Sequence, residues 1–208
     1  MIEARPPSAA LDPTIHMRKI AGSEQHRSDA AETMQLEDLG QRICILGPSN
    51  SGKSTLASAI GRKCGLTVIH LDQLYHRPST DWEPRSREEF VRLHDDAIAG
   101  DRWVMDGNYS VCMEQRFARA TGLIMLDIAM PASLLRYFRR TLFECERLGG
   151  LDGGRDSVKW DMIHHIAVVT PRNRSRNIAR FDRADLPKIR LPSIRAIKDR
   201  YRLWGLER

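Results

Sequence analysis

Gly47-Pro48-Ser49-Asn50-Ser51-Gly52-Lys53-Ser54, followed directly by Thr55, is the stretch whose reading decides the fold. Its spacing is GxxxxGK[ST], a loop that leads from a strand into a helix and carries a lysine and a hydroxyl at the helix start. The surroundings agree, because the apolar run Ile43 to Leu46 precedes it and Ser54 to Cys64 follows as a helix closed by Gly65. Backbone amides of such a loop, together with the positive end of the helix, wrap an anion. Lys53 would then reach the terminal phosphates of a nucleotide and the Ser54 hydroxyl would meet magnesium. The expectation is that Gly47 through Thr55 hold ATP with Mg2+.

Outward from the loop, short apolar runs alternate with helical patterns, the order of a parallel sheet covered on both faces. Thr67 to Leu71 reads as a second strand, Trp103 to Met105 as a third, Leu123 to Leu126 as a fourth and Lys188 to Leu191 as a short fifth. Ser86 opens a helix that runs to about Ala99, with Glu89 in the capping-box position. Pro131 opens another through about Leu148, Val158 to Val169 reads as helical, and Ser193 to about Trp204 forms a last helix. The fold class is therefore α/β.

Residues 1–38 mix prolines, serines and scattered charges without an apolar period and are expected to form a flexible leader, with 39–208 as one domain. A chain of 208 residues with 41% hydrophobic content can enclose one sizeable core. No apolar run approaches the roughly 18 residues that cross a bilayer, so a membrane partner is not expected and a cytoplasmic location is. Cys44, Cys64, Cys112 and Cys145 lie far apart with no CxxC pair, which argues against a zinc knuckle or a dithiol site and for reduced thiols.

In an open parallel sheet, ligands gather beyond the carboxyl ends of the strands. Asp72, Asp106 and Asp127 each follow a strand run. A carboxylate beside the phosphate loop holds magnesium or accepts a proton from an attacking hydroxyl, roles assigned here to Asp106 and Asp72. Helix or turn capping is the alternative for both, and for Asp127, close before Pro131, it is the preferred reading. His70, His76, His94, His164 and His165 lack metal-ligand spacing and read as packing residues. Arg136 and Arg140 stand four apart on the helix after Pro131, so one face presents both to the phosphates. A lid over about residues 141–180, hinged at Gly149, Gly150, Gly153 and Gly154, would carry further arginines such as Arg172, Arg174 and Arg176. Residues 171–208 hold 12 basic and 4 acidic side chains, which suggests a phosphate or nucleic-acid partner through Lys188, Arg190, Arg195, Arg200 and Arg202.

Taken together, three clusters resemble the adenylate-kinase-like P-loop kinases, most closely the DNA topology modulation, or FlaR-related, proteins. They are Ile45 to Thr55, His70-Leu71-Asp72 with Leu74, Tyr75, Pro78, Trp82 and Pro84, and Trp103 to Tyr109. The resemblance implies a P-loop NTPase fold with a five-stranded parallel sheet, and a short acceptor-binding insert at 73–100. It also implies a phosphotransferase moving the terminal phosphoryl group of MgATP to a nucleoside, nucleotide or alcohol. Asp72, Tyr75, Trp82 and Asn108 would line the acceptor site, and Lys53, Asp72, Arg136 and Arg140 would serve catalysis. Tyr75 and Trp82 either stack on a flat acceptor or anchor the insert. Where adenylate kinases continue Asp-Gly with Phe-Pro-Arg, this chain has Asn108-Tyr109-Ser110, which removes an arginine for an acceptor phosphate. Two other readings are a DNA-associated regulatory ATPase and a nucleotide-binding sensor.

Overall fold

In a computed structural model, the described residues are 33–80, 82–129, 131, 133 and 170–207. The expected helix of Arg136 and Arg140, the glycine hinge and the helix at 158–169 lie outside them, as does most of the leader. At its end, the leader expectation needs correction. Leu36 and Leu39, six and three residues before Arg42, are buried around a short 3-10 turn, Glu37–Leu39, because these apolar side chains gain more by packing than by solvation.

Five strands form one sheet: β1 (Arg42–Leu46), β2 (Thr67–His70), β3 (Trp103–Asp106), β4 (Gly122–Leu126) and β5 (Lys188–Leu191). Their order is β2-β3-β1-β4-β5, and every pairing is parallel. Central β1 and β4 are buried along almost their whole length, which is why both read as continuous apolar runs rather than alternating ones.

Among the described residues the helices are α1 (Lys53–Cys64), α2 (Leu71–Tyr75), α3 (Arg87–Ile98), α4 (Met113–Arg119), α5 (Thr170–Arg183) and α6 (Ile194–Leu203). Ser86 caps α3 as expected, its hydroxyl accepting from Glu89 N at 3.1 Å. Ser193 caps α6 in the same way through Ala196 N. The second strand ends one residue earlier than expected, because Leu71 turns into α2 and buries itself in the core. Helix α4 and the 3-10 turn Ser110–Cys112 before it carry no long apolar period and were not anticipated from the sequence. No helix among the described residues is long and apolar enough to cross a membrane.

Candidate nucleotide site

At the carboxyl end of β1 the chain turns sharply through Gly47, whose φ is 148°. A Cβ at this position would lie 2.5 Å from the Leu126 carbonyl oxygen, so only glycine passes between β1 and β4. Asn108 fastens this residue from the other side. Its Nδ2 donates to Gly47 O at 2.6 Å, and its Oδ1 accepts from Gly47 N at 3.1 Å. Asn108 was expected to touch an acceptor; its amide instead braces the mouth of the loop, because the β3 register brings the two backbones together.

Pro48 O receives Ser51 N at 3.2 Å and Lys53 Nζ at 2.7 Å, so the lysine folds back over the loop. Ser49 and Asn50 form the turn, Asn50 with a φ of 60°. The Ser51 hydroxyl is fully buried with no hydrogen-bond partner, a cost of about 1–3 kcal/mol unless something pairs with it. Gly52 precedes α1 without a side-chain cap, and Ser54 and Thr55 occupy the first turn of the helix. Uncapped amides at the head of a 12-residue helix, aimed past a folded lysine, form an anion cradle.

Asp106, the last residue of β3, is buried beside this cradle. Ser54 Oγ donates to its Oδ2 at 2.7 Å, and His70 Nδ1 lies 2.6 Å from its Oδ1. His70 reaches it because the parallel register pairs these two residues across β2 and β3, so both side chains share one face. Local sequence marks His70 as a packing residue, because its contact with Asp106 follows from strand pairing rather than from a local motif. A hydroxyl and a carboxylate side by side are hard oxygen donors that suit Mg2+, which keeps several waters and shares phosphate oxygens. Among the described residues no group of three or more His, Cys, Asp and Glu side chains gathers.

Gly107 follows with a φ of 133°, its Cα pressed against Leu71. Its carbonyl accepts from Arg116 Nη2 at 3.0 Å. Arg116 is 1% exposed, and burial pulls its pKa down from the usual guanidinium range. No sequence signal had marked this arginine.

Asp72 sits in the first turn of α2, and the Tyr109 hydroxyl donates to its Oδ1 at 2.8 Å. Burial first, and the neighbouring Asp72 second, push the Tyr109 hydroxyl far above its ordinary range, so it stays protonated and donates. Tyr75 packs its ring against Phe90 at 5.2 Å, Tyr109 at 4.9 Å and His76 at 4.8 Å between centroids. Of its two expected roles, anchoring the insert is the one that the ring contacts support. Trp82 meets His76 edge-on at 5.0 Å at the outer end of the same row.

Asp127, expected to cap, is held by two arginines. Arg174 grips it through Nε at 2.6 Å and Nη2 at 2.8 Å, and Arg190 adds two more hydrogen bonds to Oδ2. Burial raises the Asp127 pKa, but the hydrogen bonds from Arg174 and Arg190 outweigh it and hold the carboxyl below the usual range. A group so depressed stabilises the fold fully above its ordinary value of 3.8 and loses that contribution as pH falls through its lower native value. Both guanidiniums are about half exposed, so solvent screening keeps the loss in Asp127→Asn to about 1 kcal/mol at neutral pH. Urea melts of the two proteins should therefore differ at pH 7 and converge at pH values below 3.8. Equal separation at every pH would count against the pairing.

The basic end of the chain is also turned to internal use. Lys188 Nζ donates to the carbonyls of Phe181 at 3.1 Å, Asp182 at 2.6 Å and Ala184 at 2.6 Å, stopping α5. Arg200 is buried against the Trp204 ring, 5.7 Å from its centroid, and Arg190 holds Asp127. Of the five side chains expected to meet nucleic acid, Arg195 and Arg202 are the most exposed, and both pair with Asp199.

No protein-family model matches the chain, and no curated protein matches it either. Among solved structures it is similar to a gluconokinase from Sinorhizobium meliloti 1021, at 14% identity and a TM-score of 0.48 over 80% of this chain and 93% of that one. A shikimate kinase from Bacteroides thetaiotaomicron matches at 15% identity and a TM-score of 0.46, over 79% and 96%. A third, the shikimate kinase of Aquifex aeolicus vf5, gives 17% identity and 0.39 over 76% and 86%.

Proposed function

We propose that this chain is a P-loop kinase that binds MgATP and transfers its terminal phosphoryl group to a small-molecule acceptor. One observation carries the reading: the glycine-rich loop and the head of α1 stand beside a hydroxyl-carboxylate pair, Ser54 and Asp106, at 2.7 Å. The loop amides and Lys53 would bind the phosphates, and Ser54 and Asp106 would hold the ion, which neutralises charge on the transferring group. Asp72 stands at the end of the neighbouring strand, where a base for an attacking hydroxyl is needed. Arg136 and Arg140 remain candidates for closing over the phosphates. Likeness to the topology modulation proteins fits this reading, with no matching family model behind it.

The test is a magnesium titration of phosphoryl transfer. Asp106→Asn should raise the Mg2+ concentration needed for half-maximal rate by about 10- to 100-fold, and His70→Ala should raise it less, since it acts by orienting the carboxylate. An unaltered Mg2+ requirement in Asp106→Asn would remove that residue from the site. The DNA-associated reading is weaker, because three of its five basic side chains are engaged by contacts within the chain.

A further inference from the structure

Resting on the kinase reading above, we infer that the acceptor is an uncharged alcohol, a molecule carrying neither phosphate nor carboxylate before the reaction. The charges around the acceptor side of the site point there.

The insert at 73–100 contains four basic and six acidic side chains, so it presents an acidic surface to whatever it receives. Its two arginines nearest α2 are already engaged. Arg85 donates to the carbonyls of Leu74 at 2.9 Å, Gln73 at 3.2 Å and His76, and pairs with Glu89 at 3.1 Å. Arg77 reaches Glu89 at 3.2 Å and Glu83 at 3.7 Å. These contacts staple α2 to α3, beside the antiparallel backbone bridge between His76 and Pro84. Among the described residues, a phosphate or carboxylate on the acceptor would therefore find both arginines beside α2 spent, in a segment of net negative charge.

Asp72 makes the same selection from the other side. Tyr109 holds one carboxylate oxygen at 2.8 Å, and its own ring is wedged between Tyr75 at 4.9 Å and Phe90 at 5.1 Å. The carboxylate is thereby fixed rather than free to swing away, so an anionic acceptor meets it at close range while a hydroxyl hydrogen-bonds to it. In the transfer, the acceptor oxygen bonds to the γ-phosphorus and the bond from that phosphorus to the β–γ bridging oxygen breaks. Its electron pair leaves with ADP, and the hydroxyl proton passes to Asp72. Tyr109 is a positioning residue for this step, since it touches Asp72 and not the reacting atoms.

The experiment uses the full chain with a small-molecule cell extract and ATP carrying heavy oxygen in its γ-phosphate, with labelled products identified by mass spectrometry. The expected product has one phosphoryl group, the labelled one, and no carboxylate. Against matched pairs such as ribose and ribose 5-phosphate, or adenosine and AMP, any transfer should favour the uncharged member by at least about tenfold in kcat/KM. Tyr109→Phe should lower kcat about tenfold or more while leaving the KM for ATP unchanged, a split that a merely structural defect would not give. A labelled product that already bore a phosphate or carboxylate overturns this inference and leaves the kinase reading standing. No labelled product from any pool, despite tight MgATP binding, overturns both.

Discussion

Lys53→Ala should lose phosphoryl transfer to every acceptor, with kcat/KM reduced about 100- to 1,000-fold. The size follows from what the side chain does in a preorganised site. A single donor aimed at developing charge accounts for roughly 2.7–4 kcal/mol of the barrier. Lys53 Nζ already lies over the loop, 2.7 Å from Pro48 O, so a short rotation carries a full positive charge from that carbonyl to the phosphates. The fold should survive the change, because Lys53 is only partly buried and alanine is at least as good a helix former at the start of α1. The measurement is labelled-phosphate transfer beside a thermal melt. Loss of transfer with an unmoved melting temperature is the expected pair of results, and full turnover in the variant would sink the site assignment.

Much of this was legible in the chain because it depends on local chemistry. Glycines at 47 and 52, a lysine and two hydroxyls in fixed spacing announce the cradle, and apolar runs bounded by glycine and proline announce the strands around it. Asp106 could be placed because a strand end is a sequence feature. What could not be read is what two distant segments do to each other. His70 and Tyr109 look like ordinary strand and loop residues until the register of β2 on β3 sets one against Asp106 and the other against Asp72. Asn108 was placed at the acceptor for the same reason: sequence says that it follows Gly107, not that it faces Gly47 across the sheet edge. The basic end misled in the opposite direction. Charge counts treat Lys188 and Arg190 as available, whereas one closes α5 and the other shares Asp127 with Arg174.

Arg116 offers the largest expected effect on stability, and it links the core to the site. Its guanidinium is sunk beneath the Asp106-Gly107 turn, with Gly107 O at 3.0 Å and Cys112 Sγ at 4.0 Å as its hydrogen-bond partners. Arg116→Ala removes one of the largest fully buried side chains and leaves the Gly107 carbonyl unpaired. The cavity and the orphaned acceptor together should cost about 3–5 kcal/mol. Arg116→Met separates the two contributions. Methionine refills most of the volume and needs no counter-charge, and buried charges replaced by apolar side chains of similar size often cost little, so the loss should fall to about 1–2 kcal/mol. If the arginine also steadies Asp106 through that turn, the methionine variant will be stable yet need more Mg2+ for transfer. Denaturant melts set beside the magnesium titration decide it: a methionine variant as unstable as the alanine one would mean that the charge itself, and not the packing, holds this turn in place.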